Sequence, residues 1–336
     1  MNKKIALIIG ANGQDASYMA EFLIEKKYIV HGTIRRNSVP ESQTTRIEHL
    51  RSQNLITLHY MDLTDPLSVE NIINQIKPDE IYHLGAQSHV QISFELPKYT
   101  LDVNGGGTLA ILEAVRKFSP KSKVYHAATS EMFGNSIDGD HYQRETTPFS
   151  PVSPYGCSKL YAHTLCNNYR NAYKLFICSG ILFNHESPRR GINFVTNKVV
   201  LEAVKIKLGL SNELVLGNLN AVRDWGHAKD YVRGMWLMLQ EDIPDDYILA
   251  TGISHRVYDL VNYVFNKLDL DPTKYLKSDK KFERPEELSY LKGDATKART
   301  KLNWSPEYTF ESMLDEMIEY WMELLTKKNQ ILWGVY

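Results

Sequence analysis

Residues 4–20 read KIALIIGANGQDASYMA, and no other stretch restricts the fold as much. The five consecutive apolar residues Ile5 to Ile9 lack the polar alternation of a half-solvated strand, so this strand is buried on both faces. Gly10 and Gly13 bound the turn that follows. From about residue 15 to 27 apolar positions recur at helical spacing, and YIVHGTI then resumes a strand pattern. Strand, tight turn, helix and strand in this order make a βαβ unit, whose two strands run parallel.

The alternation continues through LITLHYMDL, EIYHLGA, KVYHAATS and LFICSGI, with helical segments between them, notably 97–118 and 154–173. The chain is therefore expected to be an α/β protein with a Rossmann-type, doubly wound parallel sheet over residues 1–182. Beyond residue 183 the rhythm breaks, because FNHESPRRGINF is polar and turn-rich and KSDKKFERPEELSYLKG separates later helices. A smaller C-terminal substrate-binding lobe is expected over 183–336, with about 219–252 packing back on the first domain. Lys and Arg number 39 against 40 Asp and Glu, which gives no electrostatic pull toward nucleic acid or an anionic membrane. A small molecule is the expected partner. Cys157, Cys166 and Cys178 have no metal-ligand spacing and read as free thiols of a reducing compartment. The apolar run after MNKK is too short for a signal core, so a cytoplasmic location is expected.

The glycine-rich turn sets the first functional expectation. Gly10 and Gly13 allow close backbone approach to a pyrophosphate, and the helix that follows presents free N–H groups to it. Ala16 stands where such turns often carry a third glycine. At the end of the second strand a cofactor with a free ribose hydroxyl expects an acid, whereas GTIRRNS offers Arg35 and Arg36, which suit a 2′-phosphate. NADP is expected in preference to NAD. Asp62, ending the third strand, is a candidate acceptor for the adenine amino group, and Gly85 and Ala86 leave room beside the cofactor.

In SPVSPYGCSKLY, Tyr155 and Lys159 are four apart on a predicted helix and share one face. A tyrosine with a pKa of about 10 is a poor base at neutral pH, and a nearby ammonium favours its phenolate. Thr129 ends the strand in HAATSEMFGN, followed by Ser130 and Glu131.

With these residues the chain resembles the extended short-chain dehydrogenase/reductases, and within them the GDP-mannose 4,6-dehydratase family. The resemblance runs through GQDxSY (Gly13 to Tyr18), TSE (Thr129 to Glu131), ETTPF (Glu145 to Phe149), GILFNHESPRRG (Gly180 to Gly191), RDWGHAKDYV (Arg223 to Val232) and GDATKAR (Gly293 to Arg299). It implies that Thr129 bonds the hydroxyl on sugar carbon 4, that Tyr155 is the base there, and that Lys159 holds phenolate and nicotinamide ribose. Glu131 would remove the proton on carbon 5 and help protonate the departing carbon 6 hydroxyl, with Ser130 steering that group. It further implies cofactor contacts from Asn12, Gln14, Asp15, Asn37, Ser38, Leu63, Leu84, Gln87, Ser88, Tyr99, His185 and Arg190. Substrate contacts would come from Ser88, Glu131, Asn184, Lys198, Arg223, Arg284 and Glu287, the cations suiting a GDP pyrophosphate and a carboxylate suiting guanine donors. Relatives are homodimers or homotetramers, with the segment after Arg36 reaching across subunits. The chain departs from the family pattern at GANGQDAS, YGCSK and VNGGGTL and in a longer NSIDGDHYQRET loop near the catalytic strand. A related GDP-sugar such as GDP-manno-heptose is therefore the alternative substrate, a GDP-sugar epimerase or reductase the alternative enzyme, and a catalytically silent nucleotide-binding protein the alternative class.

Overall fold

The computed structural model describes residues 3–36, 45–279 and 285–333, with side chains to 327. Asn37, Ser38 and Arg284 lie outside the described residues. Twelve strands are present among the described residues: β1 Ile5–Ile9, β2 Ile29–Ile34, β3 Thr57–Tyr60, β4 Glu80–His83, β5 Lys123–Ala127, β6 Ile177–Leu182, β7 Asn184–Glu186, β8 Leu214–Leu216, β9 Val222–His227, β10 Asp246–Leu249, β11 Ser254–Arg256 and β12 Leu276–Ser278. Seven of them form one parallel sheet in the order β10-β6-β5-β4-β1-β2-β3. The chain winds outward from β1 to β3, then returns to start again at β4, so the sheet is doubly wound as the sequence implied. The change of direction leaves a crevice between the carboxyl ends of β1 and β4, where ligands of such sheets bind.

Helices cover both faces, and the strand period decides which residues go where. Ala6 and Ile8 face a core with helices Gln14–Glu25, Ala228–Gln240 and Thr296–Leu302. Leu7, Ile9, Ile81, Val124 and Ile177 face the opposite core, with helices Pro66–Ile76, Gly107–Phe118 and Pro154–Tyr173. A third apolar cluster gathers helix Val195–Lys207, β8, helix Val257–Lys267 and helix Phe310–Trp333 around Trp225. Later chain also returns to the large sheet: β10 pairs with β6, and Leu288, Leu291 and Trp304 pack in the first core.

The predicted helix over 97–118 forms as Pro97–Leu101, a π-helical turn at Asp102–Gly106, and Gly107–Phe118. A Cβ on Gly107 would lie 2.8 Å from the Leu63 Cβ, so the glycine-rich VNGGGTL is what lets this helix approach the chain after β3. The three cysteines are free thiols, Cys157 exposed and the other two buried. Among the described residues no helix is long and apolar enough to cross a membrane, and no cluster of His, Cys, Asp and Glu could hold a metal.

Candidate active site

A cleft of about 1110 Å³ opens at the carboxyl ends of the central strands and runs toward the third cluster. At its base Gly10 has φ +83°, and a Cβ there would lie 2.8 Å from the Gly85 Cα. The crevice can be this narrow only with glycine on both sides. Gly13 caps helix Gln14–Glu25, so the first N–H groups of that helix face the cleft beside Asn12. Strand β7 is stitched to this helix. His185 donates from Nδ1 to the Phe183 carbonyl at 2.8 Å and meets Asp15 through Nε2 at 2.8 Å, while Gln14 donates to the His185 carbonyl at 3.1 Å. Burial pushes the His185 pKa down, but the Asp15 charge and hydrogen bond outweigh it and the net shift is upward. Asp15 is correspondingly lowered: burial raises it, and the His185 charge prevails. Arg190 lies with its guanidinium 3.6 Å from the Phe194 ring centroid, and its Nε is 3.0 Å from the Glu186 carboxylate as an ion pair without hydrogen-bond alignment.

Arg35, Asp62, Leu63, Leu84, Gly85, Ala86, Ser88 and Tyr99 line the opposite end. Arg35 donates to the Tyr99 hydroxyl, and the Asp62 carboxylate accepts from Thr64 N and Oγ1 at 2.9 and 2.8 Å. Two expected cofactor residues are not in the cleft wall. Arg36 turns outward, its guanidinium 5.8 Å from the Tyr60 ring centroid. Gln87 has its side chain engaged with Thr100 and the His89 backbone, and its own backbone is held by Asn104.

Thr129, Ser130, Glu131, Tyr155 and Lys159 come together in the middle. Thr129, two residues beyond β5, is in extended backbone and caps a 3₁₀ turn, Ser130–Phe133, by accepting from Glu131 N at 3.2 Å. Glu131, in that turn, is 7% exposed and lines the cleft. Tyr155 and Lys159 stand on one face of helix Pro154–Tyr173, whose N-cap Ser153 accepts from Gly156 N at 3.0 Å. The Tyr155 hydroxyl lies beside Thr129. Lys159 donates to the Ala127 carbonyl at 2.8 Å.

Burial outweighs the priming of Tyr155 expected from Lys159. Burial pushes the phenol up to about 12, with Thr129 opposing and the Glu131 charge reinforcing, and burial pushes the lysine down to about 8. An interior that excludes water penalises phenolate and ammonium alike, so proximity on one helix face does not suffice.

Asn184, Lys198, Arg223 and Glu287 line the far end. Arg223 and Glu287 form an ion pair at 3.3 Å, and Arg223 also donates to the Val222 carbonyl. The NSIDGDHYQRET loop lies outside the cleft; Arg144 ties it to Asp138, Asp140 and Asp294. Its first residue, Asn135, nevertheless donates to the carbonyl of the lining residue Glu287 at 3.4 Å, so the loop supports the far end of the cleft. Cleft residues that sequence reasoning missed include His89, Glu186, Phe194, Glu202, Lys205, Asn218 and Trp225. Only His89 and Glu186, inside SHV and NHESPRRG, stood next to residues already singled out.

Fold and site together define an extended short-chain dehydrogenase/reductase: a doubly wound sheet, a glycine crevice, and Thr, Tyr and Lys gathered at the end of β5. Residues 7–317 match the family model described as GDP-mannose 4,6 dehydratase, and the chain belongs to that family. It is 49% identical to GDP-mannose 4,6 dehydratase 2 of Arabidopsis thaliana over 98% of this chain and 90% of the relative. It is 48% identical to the Homo sapiens GDP-mannose 4,6 dehydratase over 96% and 92%. Among solved structures, a UDP-glucose 4-epimerase of Thermotoga maritima superposes with TM-score 0.83 at 24% identity, covering 96% of this chain and 99% of that one. A dTDP-glucose 4,6-dehydratase of Streptomyces venezuelae gives TM-score 0.83 at 21% identity, covering 95% and 97%. At these identities the two structures bear on the fold alone.

Proposed function

We propose that the protein removes water from GDP-mannose to form GDP-4-keto-6-deoxymannose, with NADP as a cofactor regenerated in each turnover. The observation that carries this reading is the buried carboxylate of Glu131 in one cleft wall with Thr129, Tyr155 and Lys159. Hydride exchange at carbon 4 alone needs no such acid. The residues at the base fit a dinucleotide: the Gly10 and Gly85 crevice admits a chain of phosphates, the helix behind Gly13 offers N–H donors, and Arg35 offers a cation for a 2′-phosphate. A nicotinamide held there would supply the acceptance of hydride from carbon 4 and its return to carbon 6.

Thr129 orients the carbon 4 hydroxyl and Tyr155 takes its proton, with Lys159 as the compensating charge. A ketone at carbon 4 acidifies carbon 5, and Glu131 removes that proton. The carbon 6 oxygen departs with it as water. The proton taken by Tyr155 balances the one that carbon 5 regains. Asn184, Lys198, Arg223 and Glu287 hold the nucleotide, which requires the Arg223–Glu287 pair to exchange partners. On this reading residues 1–182 carry the cofactor and most of the later chain carries the sugar nucleotide.

Incubation of the purified protein with NADP and GDP-mannose, followed by mass spectrometry, tests the proposal. A product lighter by one water is the expected outcome; an epimer of unchanged mass, or a product lighter only by the two hydrogens of oxidation, overturns it. Replacing Arg35 with alanine is expected to weaken NADP binding by roughly tenfold or more and NAD binding little. Equal weakening of both refutes the 2′-phosphate assignment.

A further inference from the structure

The face of the sheet beneath helix Pro154–Tyr173 is apolar except in one row. Ile81, Val124 and Ile177 are register partners on β4, β5 and β6 and pack in the core under that helix. Two residues further along the strands, on the same face, the partners are His83, His126 and Ser179, all at most 3% exposed. The two imidazole centroids are 5.5 Å apart. Neither histidine has a part in the chemistry proposed above.

We propose, building on the reading of Lys159 as the partner of Tyr155, that His83 and His126 are positioning residues for Lys159. They are two uncharged imidazoles that give its buried ammonium a polar floor without a counter-carboxylate. Hydrogen bonding fixes the state of His83: the Thr108 hydroxyl directs its own proton to the Asn104 carbonyl at 2.6 Å and so accepts from His83 Nε2 at 3.0 Å. Its Nδ1 is bare. Neither it nor either nitrogen of His126 has a hydrogen-bond partner among the described residues. Lys159 reaches the same strand end, donating to the carbonyl of Ala127, the neighbour of His126.

Other groups lie near the row, and among them Cys166 bears on Lys159. Helix Pro154–Tyr173 also brings His163, Cys166 and Arg170, and Thr108 on helix Gly107–Phe118 is neutral. The carboxylate at the edge-strand end of the row, Asp246, is the partner of Ser179 and is already engaged by Arg170, with His163 Nε2 at 3.6 Å. Burial pushes both strand histidines far down, His83 to about 3, and the Lys159 charge adds to this. They therefore stay neutral while Lys159 responds to what binds above it. A bare His83 Nδ1 and an unpartnered His126 imidazole in a buried row oppose folding, which suits a functional role better than a structural one.

The test reads Lys159 directly. In protein labelled with ¹³C at the lysine ε-carbon, its resonance is identified by its loss in Lys159→Arg and followed against pH. The parent is expected to titrate near 8. His126→Leu is expected to lower the midpoint by about one unit, His126→Glu to raise it by about as much, and His126→Gln to leave it close to the parent's. The melting temperature of His126→Leu is expected to equal or exceed the parent's. A folded His126→Leu protein with an unmoved midpoint overturns the proposal; if that variant does not fold, an unmoved midpoint in His126→Glu does so. Ser179→Val separates a floor from a proton-conducting row, and a shift there as large as in His126→Leu also overturns the proposal. If the midpoints move as expected while the alkaline limb of dehydration does not follow, the floor stands and the catalytic reading of Lys159 fails.

Discussion

Glu131 is where dehydration and simple hydride exchange part company. Its place depends on one local device, the Thr129 hydroxyl capping the turn that follows β5. Glu131→Gln keeps shape and hydrogen bonding but cannot hold the carbon 5 proton, so reduced nicotinamide is expected to accumulate and exchange of that proton with heavy water to fall by roughly a hundredfold or more. Product at the parent rate without such accumulation removes this role. For Tyr155 the relevant quantity is its proton affinity. Proton abstraction improves as pH rises toward the phenol's value, about 12, yet Lys159 loses its charge above about 8, so the productive phenolate and ammonium pair is scarce in the cofactor-free protein. A cationic nicotinamide ring favours phenolate. The ultraviolet titration difference between the parent and Tyr155→Phe is therefore expected to have a midpoint near 12 without cofactor and a lower one with oxidised NADP. No movement on binding disproves this account.

At the scale of elements, adjacent glycines in VNGGGTL do different work. Gly107 is buried against Leu63, and an added Cβ would meet the Leu63 Cβ at 2.8 Å and its carbonyl at 3.2 Å. Gly106 is exposed in helical backbone with nothing within 4 Å. Gly107→Ala is expected to destabilise the fold by about 1–3 kcal/mol, and also to weaken cofactor binding, since Leu63 lines the cleft. Gly106→Ala is expected to be stabilising by about 0.5–1 kcal/mol, because alanine has fewer unfolded conformations to lose. Urea unfolding of the two variants checks both signs. The helix that begins at Gly107 and the catalytic helix are joined through Asn104, which donates to Ser158 Oγ at 3.0 Å.

For the whole molecule, the His185–Asp15 contact links the first helix to β7 across 170 residues. His185 has a raised pKa, so its contribution is full below the unfolded value of about 6.5 and is lost as pH rises through the higher folded value. Asp15 has a lowered pKa, so its contribution is present above the unfolded value of about 3.9 and is lost as pH falls through the lower folded value. The protein is expected to lose stability as pH rises above the unfolded value of about 6.5, and His185→Gln to flatten that decline in urea titrations. An unchanged slope dismisses the contact as a source of pH dependence.

Consecutive sequence was enough for what local chemistry dictates. Five apolar residues before Gly10 required a strand buried on both faces, the repeated alternation required a doubly wound sheet, and four-residue spacing put Tyr155 and Lys159 on one helix face. TSE, NHESPRRG and RDWGHAKDYV pointed to the family through their residue types and order. What tertiary structure decided depends on residues far apart in the chain. Arg35 and Arg36 are neighbours in sequence, yet strand geometry turns one into the cleft and the other toward Tyr60. The pairing of Arg223 with Glu287 and the burial that raises Tyr155 and lowers Lys159 exist only once the chain is packed. The polar row of His83, His126 and Ser179 belongs to three strands whose alignment is set by sheet register, so no single stretch of sequence contains it. Periodicity and turn chemistry act over a few residues, whereas exclusion of water and pairing of charges are properties of the packed interior.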